Sequence, residues 1–498
     1  MKDKFKMRFL GVVSIILLCI GCTIKSFQND TFYVLKLGEY ITSHGIDLMD
    51  HYCWIASLSY TYPHWLYDVV MYFIYAGFGY TGIYVSTIVL FIILVLTIYV
   101  VHLKMHHNEF LALIISIFSI SWLFVFATAR AQLVTIILFV LEVFFIERLI
   151  QTGKTRYVFL LGLISLVVAN VHATIWLFYF ILYLPFLGEH VIYRLTRLEI
   201  IQKLFPLKED GKIMVERGGH IKKLLLSLVL SFMMGLFTPS KICYTYIFRV
   251  MLGNSQEYIR EHASLVVIDQ PVFLVLGFVG LLILIFTKTK IRLKELFMIS
   301  GLLFMSLVSQ RHLIFFYTIG LLYLSVLACR CLENRKDKTL DILGMLLVRN
   351  KIIYGLCIMA VGVFSFSRFQ KNYAKDYVPV KEYPVEAVEF IHQNLEISTI
   401  RLYNDYNVGS YLLYHNIPVF IDSRCDLYLS EFNGLGYSIF DDAMEIEYIY
   451  EEKFEFYDVT HVLVQKKDIF YQILSKDQNY HVIYRDKNFV LFEVKNYG

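Results

Sequence analysis

Apolar residues fall along the chain in long blocks, not at the alternating spacing of half-buried strands. A helix crossing a bilayer core needs about 17–25 predominantly apolar residues. Eleven blocks approach that length: 9–23, 80–103, 110–128, 133–150, 157–171, 174–187, 224–236, 271–287, 296–308, 313–328 and 352–366. The pattern predicts an α-helical polytopic membrane protein with about 11 transmembrane helices over residues 1–368. Two stretches near the start break it. Residues 62–79, YPHWLYDVVMYFIYAGFG, are apolar but short, open with Pro63 and carry His64 and Asp68. Their Trp65, Tyr67, Tyr72 and Tyr75 suit a membrane–water interface, so this stretch is predicted to be a helix lying on the outer surface. Residues 31–43, with Phe32, Leu35 and Tyr40 available for one face, are predicted to form another. Residues 24–79 then make one long first outer loop, and 239–270 a second.

Beyond residue 368 the pattern changes. YPVEAVEFIHQNL reads as a helix, ISTIRLYN as a strand, and DYNVGSYLLYHN as a turn into a helix. IPVFIDSR reads as a second strand, THVLVQ as a third and DIFYQILSK as a helix. YHVIYRD and NFVLFEV read as a hairpin around residues 486–488. This alternation predicts a small extracytoplasmic α/β domain over residues 369–498.

Composition agrees with membrane residence: 57% of the 498 residues are hydrophobic and 18% charged, against about a quarter charged in soluble domains. Charge adds orientation. With the N-terminus cytoplasmic and the spans alternating, the inner segments hold 26 Lys and Arg, and the outer membrane loops 7. Such asymmetry sets topology. It predicts a multi-pass protein of the cell (plasma) membrane with an extracytoplasmic C-terminal domain. A membrane surface accounts for the basic loops, so no nucleic-acid partner is implied. The eight cysteines are scattered without paired spacing, which excludes a disulfide framework or a zinc site. LLCIGC, ending at Cys22, faintly resembles a lipoprotein box, but Cys19 replaces the usual Leu, and an uncleaved signal-anchor helix is expected.

This topology collects polar residues at one membrane face: Asp30, Asp50, His51, Arg130, Gln132, Asn170, His172, Glu257, Glu261, Arg311 and His312. Polar groups at membrane depth are costly and often functional. Each also has a plainer reading. Asp30 is either a solvated cap or a general base. Asp50 either caps a helix starting near Tyr52 or belongs to the site. Arg130, in ATARAQ, and Arg311, in SQRHLIF, either snorkel to headgroups or grip a phosphate, which a guanidinium matches bidentately. His172 either satisfies a local hydrogen bond or supports catalysis, and Glu261 is a surface charge unless its loop folds over the site.

A long acid-bearing loop after the first helix, interfacial helices, many further spans and an outer C-terminal domain resemble the C-type (GT-C) membrane glycosyltransferases, which include protein mannosyltransferases and aminoarabinose transferases. Within these the chain is most similar to a largely uncharacterised bacterial group. The resemblance rests on Asp30, Leu35, Gly38, Tyr40, Ile41, His44, Gly45, Ile46, Asp50 and Trp54, then Trp65, Leu66, Asp68, Tyr72 and Gly79. It continues through Arg130, Gln132, Asn170, His172, Ile259, Glu261 and Arg311. In the tail it takes in Asn404, Tyr406, Gly409, Tyr411, Leu412, Pro418, Asp422, Arg424, Asp426 and Tyr428. The resemblance implies a polyprenyl-phosphate-linked sugar donor, a glycan, lipid or protein acceptor, and inverting transfer at the outer face. Asp30, with Asp50 as second candidate, would be the base. Arg130 and Arg311 would bind the donor phosphate, with His51, His172, Glu261 and His312 in support. The resemblance allows a divalent cation (Mg or Mn) near the acids without requiring one.

Three other readings remain. A polymerase or ligase of lipid-linked glycans also uses outer arginines, but its large outer loop usually comes late in the chain. A transporter should carry its polar groups mid-span, whereas here the spans are almost free of charge, Glu142 being one exception. A non-catalytic membrane scaffold with a sensing tail is the third.

Overall fold

The computed structural model describes residues 2–196, 212–216, 219–250, 258–259 and 263–495. The protein is mainly helical, and each of the eleven apolar blocks is helical over most of its length. Six elements are long and apolar enough to cross a membrane: Asp3–Cys22, Trp65–His106, Glu109–Phe126, Ala173–Leu195, Gln310–Asn334 and Lys351–Tyr373. Arg156–Val171 and Pro271–Phe286 are shorter apolar helices. The expected count of about eleven spans is therefore not reproduced by helix length and composition alone.

Helix α1 (Lys2–Cys22) packs along the helix Lys351–Tyr373, so the first and last expected spans are neighbours. Helix α2 (Asn29–His44) is the helix expected at 31–43. It buries Phe32, Val34, Leu35 and Leu37, most of the way round its first half, and ends at Gly45, whose φ of 82° closes it. Helix α3 (Trp65–His106) is two helices in continuous sequence. Gly79 separates them with φ 61° and ψ −158°, a backbone region open essentially to glycine alone. The break falls where the interfacial helix was expected to end, so residues 65–78 and 80–106 take different roles. Residues 65–78 cross α2 at very close range: a Cβ on Gly38 would lie 2.2 Å from the Asp68 carbonyl oxygen. Only a residue without a side chain allows that approach.

Helices α4 (Glu109–Leu123), α5 (Gln132–Thr152) and α6 (Arg156–Val171) follow, joined by short turns at 124–131 and 153–155. Helices α7 (Trp176–Ile181) and α8 (Leu184–Leu195) together make the next long apolar element. A two-residue parallel pair, β1 (Ile213–Met214) with β2 (Ile291–Arg292), joins two connecting segments near the end of the bundle that holds the C-terminus of α3.

The C-terminal domain contains a four-stranded sheet in the order β3-β4-β6-β5. Strand β3 (Leu402–Asn404) runs parallel to β4 (His461–Gln465). Strands β5 (Tyr480–Arg485) and β6 (Phe489–Val494) form the expected hairpin, and β6 pairs antiparallel with β4. The second expected strand, IPVFIDSR, lies outside this sheet. Its Val419 pairs instead with the segment 24–79: the Val419 N–H donates to the Tyr52 carbonyl at 2.9 Å, and the Trp54 N–H to the Val419 carbonyl at 3.3 Å. No helix forms near Tyr52.

The tail thus docks on the segment 24–79. Phe32 of α2, fully buried, stands edge-on to Tyr383 and Tyr411 at 5.0 Å each. Asn29 donates its side-chain amide to the Tyr406 carbonyl at 2.9 Å, and the Trp54 indole N–H donates to Leu402 at 2.9 Å. Burying one such phenyl ring is worth about 1.5–3 kcal/mol, and each edge-to-face pair adds about 0.5–1.5 kcal/mol.

Candidate active site

Asp30 sits in the first turn of α2, where the helix dipole favours a carboxylate. Arg130 sits in the tight turn before α5, and its Nη2 lies 2.6 Å from Asp30 Oδ2. The side chains are 18% and 28% exposed for Asp30 and Arg130. The pair is therefore shielded enough to be strong and open enough to be reached by a ligand. Two of the residues singled out from sequence, exactly 100 positions apart, are in direct contact.

Other hairpins close around this pair. The Ala173 N–H donates to the Pro63 carbonyl at 2.9 Å, and the Trp65 indole donates to Asn170 Oδ1 at 3.0 Å, pinning the 65–78 helix to the end of α6. His64 and His172 then face each other with ring centres 4.7 Å apart. His172 Nδ1 shares a 3.0 Å hydrogen bond with the Thr135 hydroxyl, about one turn along from Arg130. Burial depresses the His172 imidazole well below its usual range, and the charges of His64, Arg311 and Arg130 push it the same way. Arg130 and Arg311 therefore both act on one ring, from separate hairpins. Burial lowers His64 to about 4, with Asp30 opposing the shift and Arg130 adding to it. Both rings are neutral near pH 7.

The tail closes another side. Burial raises the Asp426 carboxyl, while Arg311 and a hydrogen bond from Tyr246 oppose the shift. Tyr246 also shares a 2.9 Å hydrogen bond with Thr61 of the first loop. Within this arrangement, several buried polar atoms have no hydrogen-bond partner among the described residues: Gln28 Oε1, Asn29 Oδ1, Thr31 Oγ1, His64 Nδ1, the Tyr67 hydroxyl and both Asp68 oxygens. Buried polar atoms are nearly always partnered in native proteins. A run of them on either side of Asp30 marks a surface suited to a polar ligand.

The remaining sequence candidates lie elsewhere. Asp50 is in a fully buried cluster: its Oδ1 is 2.5 Å from Arg424 Nη1, and its Oδ2 accepts from the Tyr52 and Cys53 N–H groups at 3.2 and 2.7 Å. Arg424 also grips Asp422, with Nη2–Oδ2 at 2.7 Å, and the Tyr428 hydroxyl donates to the same Asp422 oxygen at 2.6 Å. With every near neighbour committed, Asp50 ties the first loop to the tail. His51 is exposed and shares 2.7 Å bonds with Asp47 and the Tyr40 hydroxyl near the C-terminal end of α2. Tyr40 is ten residues from Asp30, or about 15 Å along the helix. His312, next to Arg311, shares a 3.2 Å bond with the Met305 carbonyl and lies parallel to the Phe178 ring with centres 6.0 Å apart. Glu261 lies outside the described residues.

His64 and Asp426 were not picked out from sequence as site residues. Asp426 carried the tail resemblance, and His64 was noted only as an odd polar residue in an interfacial helix. A divalent cation does not fit the described residues. No three of His, Cys, Asp and Glu converge as ligands among them, and Asp30 faces an arginine.

A scan of the sequence against family models finds no match, and a search of curated proteins finds none either. Comparison of the structure does find relatives. The aminoarabinose transferase ArnT from Cupriavidus metallidurans, bound to undecaprenyl phosphate, superposes with a TM-score of 0.53 at 11% identity, covering 97% of both chains. The chain has the fold of the C-type membrane glycosyltransferases. The archaeal oligosaccharyltransferase AglB from Archaeoglobus fulgidus, in complex with an inhibitory peptide and a dolichol phosphate, shares this GT-C fold. It aligns with a TM-score of 0.57 at 9% identity, over 91% of this chain and 69% of its own. ArnT spans the whole chain, so the GT-C likeness includes the C-terminal domain as well as the bundle.

Proposed function

We propose that this protein is a glycosyltransferase that moves a sugar from a polyprenyl-phosphate-linked donor to an acceptor at the outer face of the cell membrane. The observation that carries this reading is the Asp30–Arg130 pair, with Nη2 and Oδ2 2.6 Å apart. The neighbours named above, with undecaprenyl phosphate and dolichol phosphate bound, support a lipid-phosphate donor.

The reaction is a single inverting displacement. Asp30 takes the acceptor proton as the acceptor oxygen bonds to the anomeric carbon from the face opposite the phosphate. The anomeric carbon–oxygen bond breaks, its electron pair leaving on the phosphate. Arg130 and Arg311 neutralise the charge that develops there. In the resting protein Arg130 is occupied by Asp30. A donor phosphate competes for that guanidinium and frees the Asp30 carboxylate to meet the acceptor hydroxyl. Donor binding thereby prepares the base, which favours an order of donor first, acceptor second. His64 and His172, both neutral, shape the wall of the site without adding charge.

Asp30→Asn, compared with wild type for transfer of a labelled sugar from a synthetic polyprenyl-phosphate donor in proteoliposomes, tests the assignment. Transfer at the wild-type rate by this variant overturns it.

A further inference from the structure

The opposite end of the bundle holds a second cluster of charge that the transfer reaction does not use. A recess of about 200 Å³ opens between the C-terminal ends of α3 and α5 and the residues around β2. Its charged lining is Lys104, Arg148, Arg292 and Arg330 against Glu147 and Glu295. Arg148 lies 18 residues beyond Arg130, about 27 Å along α5 at 1.5 Å per residue, so the two sites are separate.

The two acids are already satisfied from within the protein. Glu147 Oε2 is 2.7 Å from Lys294 Nζ, almost fully buried, and its Oε1 accepts from the Tyr323 hydroxyl at 3.0 Å. Glu295 receives both Arg330 terminal nitrogens at 2.8 Å each, and the Arg292 backbone N–H at 3.0 Å. Among the described residues, Lys104 and Arg148 have no carboxylate partner, and Arg292 has one that is half-exposed. Arg292 Nε reaches only the half-exposed Glu216, at 3.0 Å. Arg148 has only uncharged partners: it donates to Gln151 at 3.3 Å, bonds the Tyr157 hydroxyl and lies over the Phe144 ring at 6.0 Å. Neither Lys104 nor Arg148 has an ion pair among the described residues. Like charges held around one recess from three chain segments repel unless an anion lies between them.

We propose that this recess binds a phosphate-bearing anion. Arg148 and Arg292 present planar donors suited to phosphate oxygens, and Lys104 adds a point charge at the rim. The phosphate belongs either to an anionic lipid headgroup or to a soluble phosphate compound. The position at the end of a membrane bundle, with Met105 and Val326 also lining the recess, favours the headgroup.

The test uses the full-length protein and the Lys104→Gln/Arg148→Gln variant. Lys104 is exposed and Arg148 only partly buried, so the substitutions leave the core intact. Each protein is exchanged into detergent with phosphatidylglycerol, and retained lipid is measured by native mass spectrometry. Separately, the thermal midpoint of delipidated protein is followed against inorganic phosphate. At about 1.5 kcal/mol or more per charged hydrogen bond, the variant should bind at least about tenfold more weakly. Phosphatidylglycerol retained by wild type and lost by the variant supports the lipid source. Stabilisation by phosphate in wild type alone, without lipid retention, supports the soluble source. Equal behaviour of the two proteins in both arms overturns the proposal. Sugar transfer by the variant is expected at the wild-type rate, so failure here is distinct from failure of the transferase assignment.

Discussion

Replacing Arg424 by Met probes the joint between membrane domain and tail. Arg424 holds two carboxylates at once: Asp50 at 2.5 Å from the first loop and Asp422 at 2.7 Å from its own domain, all three side chains at most 1% exposed. Removing one member of a buried ion cluster leaves uncompensated charge and typically costs about 3–5 kcal/mol. Two features temper the loss. Asp50 keeps two backbone N–H donors, and Asp422 keeps the Tyr428 hydroxyl. The lower half of that range, about 3–4 kcal/mol, is therefore expected. The assay is thermal unfolding in detergent, read with limited proteolysis between the bundle and residue 369. Arg424→Met should lower the midpoint and expose the tail to cleavage. Asp50→Asn should cost less in the Arg424→Met background than in wild type, because the charge it removes is already stranded. A variant within about 0.5 kcal/mol of wild type, with an uncleaved tail, would refute the reasoning.

Other consequences are simpler to measure. His64 falls to about 4 in the folded protein from about 6.5 unfolded. The folded state then binds fewer protons across that window, so stability drops as pH falls from about 6.5 to 4; His64→Gln should flatten that part of a stability–pH curve. Neutral His64 and His172 also mean that the pH–rate profile should show no histidine step near 6.5. Gly79→Ala forces a side chain into φ 61°, ψ −158° and should cost about 1–3 kcal/mol, visible as a lower thermal midpoint. His51→Ala removes an exposed ring away from Asp30 and should leave sugar transfer within about twofold of wild type.

The parts of this architecture that were legible in the sequence are those set by local pattern. Long apolar blocks became helices because a buried or lipid-facing backbone must satisfy its own hydrogen bonds. The interfacial stretch at 62–79 separated from the following span because Gly79 permits a break that other residues resist. Arg130 stood out as a lone charge between two apolar runs, and Asp30 as an acid early in the loop that follows the first. What was not legible depends on contacts between distant segments. Asp50 reads like Asp30 in sequence; only the approach of Arg424, 374 residues away, commits it to a buried cluster. IPVFIDSR has the composition of a sheet strand, yet its backbone pairs with Tyr52 and Trp54. Asp426 feels the charge of Arg311, 115 residues earlier in the chain, only because the tail folds back on the rest of the protein.

The central claim is that Asp30 is the base and Arg130 its resting partner and donor grip. Transfer from a polyprenyl-phosphate sugar should be measured in proteoliposomes for wild type, Asp30→Asn, Arg130→Lys and Asp30→Glu. The account predicts that Asp30→Asn loses at least about a hundredfold in kcat, within the range of a general base. It predicts a raised donor KM for Arg130→Lys, and partial activity for Asp30→Glu. Wild-type kcat in Asp30→Asn, in protein that is folded and binds donor, would contradict it.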